Sequence, residues 1–120
     1  LPGISAQDIG KCALAIFKAG EKYQGKFAGI SGEHLTGQQM AAGFSKLLGS
    51  DISYNDVPAS VYRGFGFPGA EDLGNMFQFN SEFEEYFCGA RDVRFTKGLN
   101  PEVLSFGDWL KQNKEKISIQ

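Results

Sequence analysis

The sequence predicts an α/β fold. Three observations predict it. Helix-capping signals stand ahead of apolar residues spaced for a helix, short apolar stretches with strand alternation fall between those helices, and glycine or proline punctuates the junctions. The order is helix, strand, helix, strand, then mainly helix, and strands separated by helices point to parallel pairing. Two short strands make a poor sheet alone, since independent sheets need three or more strands or a packed helix layer. The pattern is that of a piece that expects a larger sheet.

The elements follow in order. Ser5 and Asp8 supply a hydroxyl cap and an early carboxylate for a first helix. Ile9, Ala13, Ile16 and Phe17 form its apolar face, and Gly20 offers a left-handed stop. Residues 25–31, with Phe27 and Ile30 between glycines, read as a strand. Thr36 and Gln39 repeat the capping device before Met40, Phe44, Leu47 and Leu48, and Gly49 ends that helix. Ile52, Tyr54 and Val57 alternate as a second strand, stopped by Pro58, which then opens a short helix through Ala59, Val61 and Tyr62.

Residues 64–69 are a breaker-rich loop carrying two aromatics. A long helix is predicted from Ala70 to about Phe87, with Leu73, Met76, Phe77, Phe79, Phe83 and Phe87 spread over a wide apolar arc. Residues 91–98 read as irregular. Ser105 and Asp108 form a third capping pair ahead of Trp109 and Leu110, and the tail from Lys111 is polar and charged.

Composition narrows the function. A chain of 120 residues fits one domain, and 42% hydrophobic with 13% aromatic residues supports a core. The net charge of -2 favours neither a nucleic-acid backbone nor an anionic membrane as partner. No apolar run reaches the ~18 residues of a membrane span. The start has no signal-peptide pattern. It also lacks Met, which suggests a fragment. Cys12 and Cys88 stand far apart without a CxxC and read as reduced thiols of a cytosolic protein.

Candidate chemistry is sparse. His34, the single histidine, reads as a surface residue rather than a catalytic base, and no further ligands accompany it for a metal. Cys12 reads as a small buried hydrophobe. Cys88 has a redox-reactive alternative, since Arg91 favours a thiolate while Glu84 and Glu85 oppose it. Asp8 reads as a helix-start carboxylate rather than a general base, and the acidic run Glu82, Glu84 and Glu85 as a solvated helix face. Tyr62, Phe65, Phe67, Met76 and Phe79 surround the Pro68-Gly69 turn. Plain core packing accounts for most of them. The alternative makes Tyr62, Phe65, Phe67, Asn75, Met76 and Phe79 a ligand- or partner-facing cleft set, in which a flexible Met and an amide sit among rings.

Four patterns, in order, resemble the distal half of NmrA-like proteins, atypical relatives of the short-chain dehydrogenases. Residues Ile4 to Gly10 (ISAQDIG) are similar to that family's Asp-containing step into a helix. Tyr23-Gln24-Gly25-Lys26, followed by Leu35-Thr36-Gly37 through Ala42, resembles its Y-x-G-K … L-T-x-x-E-x-A stretch, with Gln39 where Glu is common. Residues 66–77 (GFPGAEDLGNMF) resemble the F-P-G-A-x-D-L-x-N-M-F segment of animal NmrA-like redox-sensor proteins and are the most specific of the four. Leu99-Asn100-Pro101, running to Trp109-Leu110, resembles the closing L-N-P … W-L.

The resemblance implies a helix-rich C-terminal lobe of an NAD(P)-binding, Rossmann-type protein whose N-terminal nucleotide-binding half lies outside this chain. It implies NADP(H) for the whole protein and none bound by this chain alone. Neither a phosphate-binding glycine loop nor a Tyr-x-x-x-Lys pair occurs here, so no cofactor-binding or catalytic residue can be assigned. Tyr23 stands three residues before Lys26, and Tyr62 has no Lys four residues on. The implied parent is a non-catalytic regulator that changes protein partners with cofactor state, in the cytoplasm and also in the nucleus. The alternative is an NADPH-dependent reductase of a small carbonyl or quinone. Alone, the chain is expected to self-associate to cover its aromatic arc.

Overall fold

The structure, a computed structural model, describes residues 1–117. The helix α1, Ala6–Lys18, begins where expected, because the Ser5 hydroxyl accepts the Asp8 N–H at 3.2 Å. It ends at Ala19, ahead of Gly20 in a left-handed conformation that opens a 3-10 turn over Gly20–Tyr23. The helix α2, Gly37–Leu48, carries the full reciprocal cap. The Thr36 hydroxyl accepts the Gln39 N–H at 3.1 Å, and the Gln39 side chain accepts the Thr36 N–H at 2.8 Å. Gly49 closes α2 at φ 68°, the conformation that favours glycine.

Neither predicted strand forms. Residues 25–31 run irregularly, and Phe27 projects fully into solvent. The Ser31 N–H goes to the Thr96 hydroxyl at 2.9 Å instead of to a ladder, and Gly29 packs against the Ala90 carbonyl with no room for a Cβ. Residues 52–57 are likewise without strand structure. There the Ser45 hydroxyl accepts the Ile52 N–H at 2.9 Å, so a side chain does what a neighbouring strand would have done. The strand pair that does form is minimal: β1 (Pro2–Gly3) and β2 (Glu33–His34), antiparallel, with Pro2 opposite His34 and Gly3 opposite Glu33. The parallel pairing expected from the order of elements is therefore corrected. Alternation alone makes no strand where no neighbouring backbone is at hand.

The second half is mainly helical. Pro58 opens α3, Ala59–Arg63, with φ −55°, and the breaker-rich loop then leads into α4, Ala70–Glu82. The single helix expected through Phe87 is split, since Phe83 leaves helical geometry and α5 spans Glu84–Gly89. Asn80 and Ser81 are weak helix formers. The break also places Glu84 and Glu85 in a first turn, where the helix dipole favours carboxylates. The stretch 91–98 is a helix rather than irregular: the Asp92 carboxylate accepts the Arg94 N–H at 2.7 Å and caps α6, Val93–Leu99. Ser105 caps α7, Phe106–Asn113, as read, and a 3-10 turn over Lys114–Lys116 follows. The last three residues of the polar tail lie outside the described residues.

Packing is pairwise: α1 meets α6, α2 meets α7, and α3 meets α4. Gly43 lets α7 approach α2 closely, because a Cβ there would stand 2.9 Å from the Phe106 ring. Phe44 and Phe106 meet edge to face at 5.4 Å beside it. Cys12, Ala41, Ala70 and Leu110 are the buried apolar residues of this small core. The radius of gyration, 16.7 Å, exceeds the roughly 14 Å of a globular domain of this length. The helix-rich character holds, with a two-strand sheet in place of a larger one.

Candidate functional site

Three features on the described surface and interior are candidates for function. The first is a buried clasp on Asp8, which is 1% exposed. Its carboxylate accepts the Ser5 hydroxyl at 2.8 Å, the Asn100 side-chain amide at 2.9 Å and the Leu104 N–H at 3.0 Å, and Lys11 stands 3.4 Å away. Burial pushes the Asp8 pKa up, but the Leu104, Ser5, Asn100 and Lys11 contacts outweigh it and hold the carboxyl below its ordinary value. Saturated in this way, Asp8 has no capacity left for a substrate proton. Its role is to tie α1 to the segment before α7, which agrees with reading it as structural. Asn100 and Leu104 were invisible as its partners, since nothing local in sequence connects residues so far apart.

The second feature is a cavity of about 360 Å³ between β1, β2, α2 and α7. Ile4, Leu35, Met40, Leu104, Phe106 and Trp109 give it a mainly apolar wall. Glu33 brings the one carboxylate, half-buried, and its Oε2 accepts the Phe106 N–H at 2.8 Å. The Ser5 and Ser105 hydroxyls that also line it are turned to Asp8 and Asp108. The size is within the usual range of small-molecule sites. Sequence reasoning missed this cavity. Its walls come from four separated segments, and the only signal was the Trp109 ring at a helix start.

The third feature is the α3–α4 hairpin, where the sequence-predicted cleft residues fall. Tyr62 gathers Phe65, Phe67 and Phe77 at centroid distances of 5.3, 5.8 and 5.1 Å. Asn75 does not face a cleft with these rings, because its side-chain oxygen accepts from Arg63 at 3.2 Å, alongside the 2.8 Å bond from Arg63 to Gln78. Gly74 seats α4 on α3, and a Cβ there would meet the Ala59 carbonyl at 3.2 Å. Met76 and Phe79 point to the far side of α4, away from Gly74, and Phe79 stacks on Phe83 at 4.9 Å. The six residues thus divide between two faces of one hairpin. Phe65, Phe67, Met76 and Phe79 remain 53%, 41%, 44% and 43% exposed, so packing within this chain leaves a large part of each uncovered.

The helix α4 begins at Gly69 with no side-chain cap and with Glu71 and Asp72 in its first turn, carboxylates that would repel a phosphate. Comparison with known families matches residues 1–109 to the NmrA-like family. The chain belongs to the NmrA-like family. Its relatives are Rossmann-like proteins that generally bind NAD(P), and the match spans the first three stretches on which the resemblance was drawn and the fourth as far as Trp109.

Within this NmrA-like chain the remaining reactive side chains are placed as follows. Cys12 is fully buried in α1, and burial, then the nearby Asp8 charge, pushes its thiol up and away from reactivity. Cys88 is half-buried in α5, and neither cysteine is in a disulfide. His34 is exposed on β2, with Nε2 2.9 Å from the Arg91 carbonyl oxygen. Arg91 itself lies over the Phe87 ring at 4.0 Å, so its charge is engaged there. Among the described residues no three His, Cys, Asp or Glu side chains converge as a metal site, and no helix is long and apolar enough to cross a membrane.

Proposed function

We propose that this chain is the partner- or ligand-facing lobe of an NADP(H)-sensing regulator, itself without catalytic machinery. One observation carries the reading: a chain of an NAD(P)-binding family leaves Phe65, Phe67, Met76 and Phe79 half uncovered on a hairpin rimmed by acid. Exposed rings and a flexible thioether on a defined scaffold are the composition of a protein-recognition surface. In this reading NADP(H) is held by a nucleotide-binding half, and the lobe relays its state to a protein partner in the cytoplasm or nucleus. Replacing Phe67 and Met76 together by alanine in the intact protein is expected to abolish partner or ligand capture while the melting temperature stays within a few degrees. An equal loss of stability, with binding by the folded fraction unchanged, would return both side chains to core packing.

A second reading has an observation of its own. The apolar cavity beside Phe106 and Trp109 has the dimensions for a small carbonyl or quinone, as an NADPH-dependent reductase requires. NADPH oxidation by the intact protein against a panel of quinones separates the two. Tight NADPH binding without turnover is the expected result, and turnover would replace the sensor with the reductase.

A further inference from the structure

The far face of α4 and the start of α5 carry half of the exposed side chains on which the partner-facing reading rests. Leu73, Met76, Phe79 and Phe83 form a stripe along that face, each more than one-third exposed. It lies away from α3, because Gly74, Asn75, Phe77 and Gln78 are the α4 positions that meet Ala59, Tyr62 and Arg63. The surface area of the chain is 8720 Å², against about 6,400 Å² for a folded chain of this mass. The excess, on the order of 2,000 Å², is what a standard to large protein interface covers. That excess belongs to the whole chain, Phe17, Phe27 and Tyr86 included, and the stripe is one part of it.

Charge decides the kind of partner. Between Asp51 and Ala90 the chain carries seven carboxylates against one cation, Arg63; the rest carries seven against 11 cations. Asp72 flanks the stripe, and Glu82, Glu84 and Glu85 cluster where it ends at Phe83. Among the described residues none of these four takes part in an ion pair. A two-fold pairing of two copies through this face would set acid against acid, since Asp72 stands at one end of the stripe and Glu82, Glu84 and Glu85 at the other, and like charges disfavour the contact.

From the apolar stripe and its acidic rim we infer that the far face of α4 docks a basic amphipathic helix of a partner protein. Its apolar side chains lie on Met76, Phe79 and Phe83, and its Lys or Arg residues meet Asp72, Glu82, Glu84 and Glu85. The 13 residues of α4 present a ridge of roughly 20 Å, enough for a helix of three to four turns. The inference deepens the partner-facing reading above and rests on it.

The test uses two synthetic helices of about four turns, identical in their Leu and Phe stripe, one with Lys and the other with Glu at the remaining positions. Fluorescence anisotropy with the full chain is expected to show the basic helix binding at least about tenfold tighter than the acidic one, and weakening as salt is added. Phe79→Ser with Met76→Ser should abolish binding. Glu84→Gln with Glu85→Gln should weaken it and flatten its salt dependence, with unchanged melting confirming the fold of each variant. Equal binding of the two helices overturns the charge selectivity and so the inference. Absence of binding overturns it too, whether sedimentation finds a monomer or a dimer in which a second copy covers the stripe. The sensor reading is scored separately by NADPH binding without turnover, so either can fail while the other stands.

Discussion

Replacing Asp8 by alanine is expected to destabilise the fold by about 2–4 kcal/mol, the cost of leaving buried hydrogen-bond donors unsatisfied. The Asn100 amide and the Leu104 N–H, which both donate to this carboxylate, would be left without an acceptor. Against a whole-domain stability of ~5–15 kcal/mol, that is a large fraction of the total. Urea unfolding measures it, and a loss under about 1 kcal/mol would show the clasp to be dispensable. The same group predicts a pH response. Because the folded pKa lies below the unfolded value of ~3.9, the stability that Asp8 supplies is complete above that value. It drains away as pH falls through the lower, folded pKa. Asp92 and Asp108, held down by Arg94 and by Ser105 with Lys111, act in the same direction from exposed positions. Asp8→Asn should therefore flatten the acid limb of the stability curve more than Asp92→Asn does.

Leu110→Ala is expected to remove about 2–5 kcal/mol, as large-to-small changes at well-packed sites do. Leu110 is 2% exposed and is the largest fully buried side chain of the structure. It sits where α7 crosses α2, and a Cβ at Gly43 would lie only 3.3 Å from its methyl group. With so small a core, few neighbours are available to close the resulting cavity. Urea unfolding should show a lower midpoint at an unchanged slope. Hydrogen exchange should speed up first in α2 and α7, and α3–α4, which shares no packing with Leu110, serves as the internal control.

What the sequence made legible was local chemistry. Ser5, Thr36 and Ser105 each announced a helix, and each hydroxyl accepts the expected N–H. The glycine stop at Gly49 was equally plain. Helix α6 was overlooked although its signal was present, an Asp92 cap followed by Val93, Thr96 and Leu99 at helical spacing. The strands failed for a different reason. Apolar alternation at Phe27 and Ile30, or at Ile52 and Tyr54, describes a residue pattern, whereas a strand exists only with a neighbour. Here the neighbours are the Thr96 and Ser45 hydroxyls. The aromatic hairpin was recognisable as a group, but its division into two faces depended on how Gly74 seats α4 against α3. The cavity beside Trp109 required four segments to be assembled in space, which periodicity cannot supply.

The clasp also bears on how the protein is made. Asn100 and Leu104 are synthesised 92 and 96 residues after Asp8. Until those later residues have been added, the Asp8 carboxylate has only its near neighbours Ser5 and Lys11 as partners. Closure of the clasp then waits on an encounter across that separation, the kind of long-range contact that slows folding and prolongs exposure to chaperones.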